Sequence, residues 1–310
     1  MYTVRPPASR TSVNLRGGRW VHAGCVAALF CATRVTAQEQ PADPTEEISI
    51  SAQHQTALDN EALTVSETPD VGPHQDHLAA IVGLGPMIAP VYLGSKKSKV
   101  SPFPYVDIRG LLDDRVFISD VVGLGVKILN DGPVRAGVAV GYYASRTSSD
   151  DPRLKGLPDI KGAARVTSYL GYSFKPFALE ARIQQRLGSG SGTSASIGAS
   201  YAVAPLPQLH LTFSGDVTWA NATYQKVFYG ITPAEAASAS AEGNPLPAYL
   251  PGAGLTDASL TATGVYQLGR HWGLATRLSF HDIVGSPVKD SPLTQRTFAP
   301  SIALGALYMF

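Results

Sequence analysis

Any chemistry in this sequence would have to come from a few acids and bases: Asp107, Glu180, Asp216 and Asp257, the arginines Arg109, Arg135, Arg165, Arg182, Arg186 and Arg277, and the histidines His210 and His281. Glu180 with Asp216 could be drawn as a paired general acid and base, but geometry must precede any such assignment, and both also suit simple charge pairing with nearby arginines. A membrane-embedded lipase would need a nucleophile and a base side by side and facing lipid. Strand alternation turns His210 and His281 inward, and no G-x-S-x-G elbow is present. The glycine-rich stretch 188–192 (GSGSG) lacks the Lys-Ser/Thr of a phosphate loop and reads as a flexible hairpin. His74, Asp76 and His77 only superficially resemble a metal-ligand cluster. The expectation is therefore no enzyme, no cofactor and no metal. No basic, aromatic-interleaved patch points to nucleic acid either.

The elements that must position these charges are strands. From Phe177 to Leu187, Phe177, Leu179, Ala181, Ile183 and Leu187 face one way, and Glu180, Arg182, Gln184 and Arg186 the other. The same split recurs at Gln208 to Trp219 and at Asp257 to Leu268. One face needs oil and the other needs water or its own counter-charges. Alternation of this length exceeds that of most soluble strands and matches the ~9–11 residues of a tilted membrane strand. Charged residues make up 16% of the chain, against roughly 25% in soluble globular proteins. No run approaches the ~18–20 apolar residues of a spanning helix.

Short reversals at 130–133, 173–176, 204–207 and 268–271 alternate with long connections at 145–159 and 221–254. That asymmetry belongs to an outer-membrane barrel, with short periplasmic turns and long external loops. The pattern predicts an all-β, transmembrane, antiparallel up-and-down barrel of about 12 strands, at 78–90, 99–111, 114–119, 122–131, 133–146, 160–173, 176–188, 192–204, 207–220, 254–268, 271–284 and 296–310. The pair 114–119 and 122–131 could be a single kinked strand; the even strand number of such barrels splits it. The last strand, QRTFAPSIALGALYMF, has an apolar face from Phe298 to Phe310 opposite a face of small residues. It is expected to close the barrel against the first strand, with Tyr308 and Phe310 at the periplasmic rim. Tyr92, Trp219, Tyr266, Trp272 and Tyr308 fall near strand ends, as interfacial girdles require. The six arginines are expected inward beside the four acids, in a lumen narrow enough for long side chains to fill. In the loop 221–254, Pro233 to Ala241 has helical composition, and could fold over the mouth as a lid or pack on itself. A soluble sandwich would not combine these strand lengths with an export signal and a cysteine-free body.

That export signal is residues 1–37. Arg5, Arg10, Arg16 and Arg19 precede the apolar run Val21 to Ala32, and Val35-Thr36-Ala37 suits a peptidase cutting before Gln38. Cys25 and Cys31 both lie inside it, neither in a convincing lipobox, so the mature chain would carry no thiol. Residues 38–76 are acidic, without Lys or Arg and poor in large apolar residues. They are expected to form a disordered periplasmic tail, with the barrel at 77–310.

From about Val82 to Phe310 the chain also resembles the MipA/OmpV family. The resemblance rests on Gly83-Leu84-Gly85-Pro86, Pro90 to Ser95, Pro102 to Tyr105, Gly123 to Val126, Lys155 to Ile160, Thr218-Trp219-Ala220-Asn221 with Tyr224, and Phe228 to Thr232 before Ala234 and Ser238. Ser286-Pro287, Ser291-Pro292 and Tyr308-Met309-Phe310 complete the series. Asn221 stands where the family often has Asp. The resemblance implies a non-catalytic outer-membrane protein that serves peptidoglycan-remodelling enzymes, a lytic transglycosylase and a synthase, as scaffold. It also implies that the barrel assembly machinery reads the last strand. A small-solute channel and an adhesin-like surface barrel are the alternative functions.

Overall fold

The computed structural model describes residues 79–188 and 190–310; the signal, the acidic tail and the His74–Asp76–His77 triplet lie outside the described residues. Twelve antiparallel strands form one closed barrel in which each strand pairs with its sequence neighbours: β1 (Ala79–Pro90), β2 (Ser98–Leu111), β3 (Val116–Ser119), β4 (Gly123–Asp131), β5 (Val134–Tyr143), β6 (Ala163–Phe174), β7 (Phe177–Arg186), β8 (Thr193–Leu206), β9 (Leu209–Ala220), β10 (Gly254–Gln267), β11 (Trp272–Asp282) and β12 (Phe298–Met309). β12 closes the ring against β1, from Ile81 opposite Met309 to Ile88 opposite Ile302. Short turns join one rim, and the other carries the long loops together with the shorter 120–122 and 187–192 connections.

Side-chain alternation explains why this sheet must close around a polar interior. Along β12, positions 298 to 307 alternate strictly between exposed and buried. Large apolar side chains stand exposed on the outside of strand after strand, among them Leu84, Leu124, Leu170, Ile197, Leu260 and Leu304. A continuous outer apolar belt of this kind is untenable in water, where contiguous patches rarely exceed a few hundred Å², and is what a lipid-facing barrel requires. Among the described residues no helix is long and apolar enough to cross a membrane.

Two places depart from an even ladder. At the β1–β12 seam the register skips Gly85 and Pro86. Pro86 has no N–H to give, and the backbones approach so closely that a Cβ on Gly85 would lie 1.7 Å from the Leu304 carbonyl oxygen. The other departure is β3. Strands 114–119 and 122–131 are indeed separate, but β3 pairs with β2 only from Asp107 to Leu111. Its entry turn carries three consecutive residues in the left-handed region, Leu112, Asp113 and Asp114. The Asp114 carboxylate holds that turn by accepting from the Gly110 N–H at 3.2 Å and pairing with Lys127 at 2.6 Å.

β5 stops at Tyr143 rather than 146, because Arg146 leaves the sheet to exchange backbone bonds with Ile160. Tyr92, expected in a girdle, is instead buried among the loops, with its hydroxyl donating to the Leu293 carbonyl at 2.9 Å. Pro90 ends β1 before it, so Tyr92 no longer follows the outward row.

Candidate functional site

The lumen holds its charged residues as close pairs that neighbour one another, Asp107–Arg109 beside Asp120–Arg277 and Glu180–Arg182 beside Asp216, Asp257 and His281. Because side chains two apart on a strand share a face, Arg109 folds onto Asp107 with bonds of 2.8 and 2.9 Å. Arg182 folds onto Glu180 at 2.6 Å in the same way. Arg277 crosses to Asp120 at 3.3 Å, with its guanidinium 5.0 Å from the Phe103 ring centre. Arg165, 1% exposed, donates to the Val121 carbonyl at 2.6 Å and lies over the Tyr143 ring. Arg186 donates to the Lys161 and Gly190 carbonyls at 2.6 and 3.1 Å, and Arg135 to the Ser173 hydroxyl at 2.5 Å.

Asp216 accepts from Ser259 at 2.5 Å, and the buried Asp257 meets His281 Nδ1 at 2.9 Å. Glu180 and Asp216 take their short hydrogen bonds from different donors, Arg182 and Ser259, and Arg182 lies near both carboxylates, so they serve its charge rather than form an acid–base pair. The Asp257–His281 contact has the form of a base and its orienting carboxylate, but both groups are buried, and Ser259 gives its hydrogen to Asp216. No group of three metal-ligating side chains occurs among the described residues. A small chamber of about 50 Å³ remains on the turn side of the lumen, lined by Asp107, Arg109, Lys127 and Arg135 among others.

The loop rim is closed by an apolar cap that sequence reasoning foresaw only in part. Pro233–Ala241 is helical as expected, with Thr232 and Glu235 forming a capping box. A second helix, α1 (Ala222–Tyr229), was not foreseen; the 233–241 helix is α2. Asn221 caps α1, its side chain accepting from the Tyr224 N–H at 2.8 Å. An amide oxygen serves a helix N-terminus as well as a carboxylate does, which explains why Asn suits this position. Tyr224, Phe228 and Tyr229 then pack with Tyr143 of β5, Ala220 of β9 and Ala299 of β12. Those strands are spread around the ring, so α1 lies across the opening. The available signal was Asn221 followed by aromatics at helical spacing, Tyr224 and Phe228.

Arg146 ties the cap down by donating to the Phe228 carbonyl at 2.8 Å, and Ser291 does so through the Tyr229 carbonyl at 2.7 Å. Burial raises the Tyr92 and Tyr229 phenols, so both stay neutral hydrogen-bonding groups in the cap.

A strap over residues 147–151 is fastened to the β1–β2 hairpin. Ser95 donates to Asp151 at 2.5 Å, and Lys99 pairs with Asp150 at 3.1 Å. Burial works against the Asp150 charge, but hydrogen bonds from Thr147 and Lys99 outweigh it and hold the carboxyl below its ordinary value. A depressed folded pKa contributes stability that is complete above the unfolded value of ~3.9 and is lost as pH falls through the lower folded value. The strap is therefore expected to remain docked at neutral pH and to loosen below about pH 4. Amide exchange over 147–151, corrected for intrinsic rates, should rise in acid, and Asp150→Asn should raise it already at neutral pH. Equal protection in wild type and variant at neutral pH would contradict this account.

Residues 82–310 match the family model described as MltA-interacting protein MipA. The chain belongs to the MipA family. Within this MipA-family chain the match begins inside β1 and ends at Phe310, so it spans nearly all of the barrel. No curated protein matches. Solved structures similar to this MipA-family barrel include the translocator domain of the autotransporter NalP from Neisseria meningitidis, at 10% identity over 78% of this chain and 90% of that one, TM-score 0.41. A FadL homologue of Pseudomonas aeruginosa is similar at 10% identity, 75% and 90% coverage and TM-score 0.37. The outer-membrane channel DcaP of Acinetobacter baumannii is similar at 10% identity, 76% and 96% coverage and TM-score 0.34.

Proposed function

We propose that this protein is a non-enzymatic, non-conducting barrel of the outer membrane that serves peptidoglycan-remodelling enzymes as a scaffold at its periplasmic rim, a lytic transglycosylase first among them. Membership in a family described by its interaction with MltA carries this reading. The short-turn rim is the periplasmic one, and the looped rim faces outward. A lumen occupied by ion pairs and capped by α1 supports an interaction role over transport. The commitment of Glu180 to Arg182, of Asp216 to Ser259 and of Asp257 to His281 in a buried charge network supports the absence of catalysis.

Affinity capture of envelope lysate on the detergent-solubilised, folded barrel is expected to retain a lytic transglycosylase or a peptidoglycan synthase, and retention of neither would remove the scaffold role. The second reading, a small-solute channel, draws on the charged lumenal chamber. Planar bilayers containing the purified protein are expected to show no sustained conductance. Stable unitary steps would replace the plugged reading with the channel.

A further inference from the structure

Inside the barrel, buried guanidiniums lie against carboxylates: Arg109 on Asp107, Arg182 on Glu180 and Arg277 on Asp120. Arg146, on the looped rim, is not served in this way. It is 7% exposed, yet no carboxylate pairs with it among the described residues. Its Nη1 donates to the Phe228 carbonyl, and its guanidinium lies 5.5 Å from the Tyr92 ring centre. That carbonyl belongs to the last turn of α1, whose C-terminus offers only about half a negative charge. A ring face attracts a cation without cancelling it. Burial accordingly pushes the Arg146 pKa down, and the acid that pulls the other way, Asp150, is already bonded to Thr147 and Lys99. A buried charge left in this state is costly.

The rest of the guanidinium opens onto a cavity of about 330 Å³ between α1 and the 157–160 segment. Nε and Nη2 have no partner among the described residues and are not sealed in, so they face this space. Lys226, exposed and in no ion pair among the described residues, lines the cavity too. So do the acids Asp159 and Glu235. Asp159 accepts from the Ser148 N–H at 2.7 Å and Glu235 from the Thr232 N–H at 2.7 Å, so a backbone donor fixes one oxygen of each and leaves the other to spare. Leu157, Ile160 and Val227 supply an apolar wall. The site is built before any ligand arrives, since Arg146 and Ile160 exchange backbone bonds at 2.9 and 2.8 Å.

Cations and carboxylates around one small space favour a molecule that carries both charges. A simple anion such as phosphate would meet Asp159 and Glu235, and a simple cation would meet Arg146 and Lys226. We infer that this cavity is a binding site for a small zwitterion, an amino acid or short peptide with a free carboxylate and a free ammonium group. The carboxylate takes the Nε–Nη2 edge of Arg146, the two-bond geometry that a guanidinium offers and an ammonium does not. The ammonium goes to the spare oxygens of Glu235 and Asp159, and small side chains lie on Leu157, Ile160 and Val227. The volume is at the lower end of the range for small-molecule sites, which suits a ligand the size of a dipeptide. The site stands on the looped rim and is independent of any enzyme held at the periplasmic one.

Equilibrium dialysis of labelled dialanine against the folded, detergent-solubilised barrel tests this. Saturable binding of one dialanine per barrel is expected. Arg146→Gln keeps a donor for the Phe228 carbonyl but removes the charge, and should weaken binding about tenfold or more. Val227→Trp fills the cavity from the α1 side with Arg146 in place, and should weaken it as much, whereas Leu260→Trp on the outer face of β10 should not. N-acetyl-dialanine, which lacks the ammonium, should bind the wild type about tenfold more weakly than dialanine. In Glu235→Gln with Asp159→Asn, which keeps an acceptor for both backbone donors, the two ligands should bind alike. Heat-modifiable migration confirms that each variant is folded. No saturable binding to the wild type, or wild-type binding in Arg146→Gln or in Val227→Trp, would overturn the assignment. Equal affinity of the wild type for the free and the acetylated dipeptide would overturn it as well, by reducing the site to a carboxylate hole.

Discussion

Deleting Tyr308–Phe310 is expected to reduce folded, heat-modifiable barrel in the membrane several-fold or more, beyond the effect of any single lumenal substitution. These three residues finish the seam on both sides: the Met309 N–H donates to the His271 carbonyl and the Phe310 N–H to the Ala80 carbonyl. Tyr308 stands between Val82 and Trp272 in the ladder, and its ring meets those of His271, Trp272 and Phe310. The deletion therefore removes backbone pairing and an aromatic anchor at the rim where assembly must close the ring. If assembly reads the terminal strand itself, Tyr308→Ala with Phe310→Ala, which keeps the backbone pairing, should also lower membrane levels. Normal levels in both variants would deny the segment any assembly role.

That a single strand could be singled out from sequence reflects how tightly alternation constrains a barrel. A one-residue slip would turn every charge on β7 toward lipid, so the pattern Phe177, Leu179, Ala181 against Glu180, Arg182, Gln184 specifies register as well as strand. Strand boundaries were legible to within a few residues for the same reason, helped by prolines and short turns.

Pairings between distant strands were not legible. Asp120 sits at the tip of a four-residue strand, and nothing local announces that Arg277, 157 positions away, will reach it. Tyr92 was misplaced because strand parity stops predicting direction once Pro90 ends the strand. Helix α1 was hidden because eight residues rich in aromatics have little helical propensity of their own. Its stability comes from packing on Tyr143 and Ala299, residues on strands far away in sequence.

The second large effect is expected in the lumen, at Glu180. Arg182 and Glu180 are nearly fully buried, at 4% and 10% side-chain exposure, and bonded at 2.6 Å. Glycines stand opposite Glu180 on both neighbouring strands, Gly171 on β6 and Gly198 on β8, leaving room for the guanidinium to fold back over the carboxylate. Glu180→Leu leaves the buried cation without this carboxylate, which should cost roughly 3–5 kcal/mol. For a barrel of this size that is a fall of roughly 6–20 °C in the temperature at which the heat-modifiable form disappears, compared at one heating rate because unfolding of such barrels need not be reversible.

Replacing both residues, Glu180→Leu with Arg182→Leu, removes the buried cation together with this carboxylate, and the same two glycines give the new side chains space. The double variant should recover most of the loss, since well-packed apolar replacements for a buried pair are often neutral. A double variant as unstable as the sum of the two single ones would mean that the ion pair is not a coupled unit. The charges would then be held mainly by water and by other lumenal groups, and the case for a filled, non-conducting interior would weaken with them.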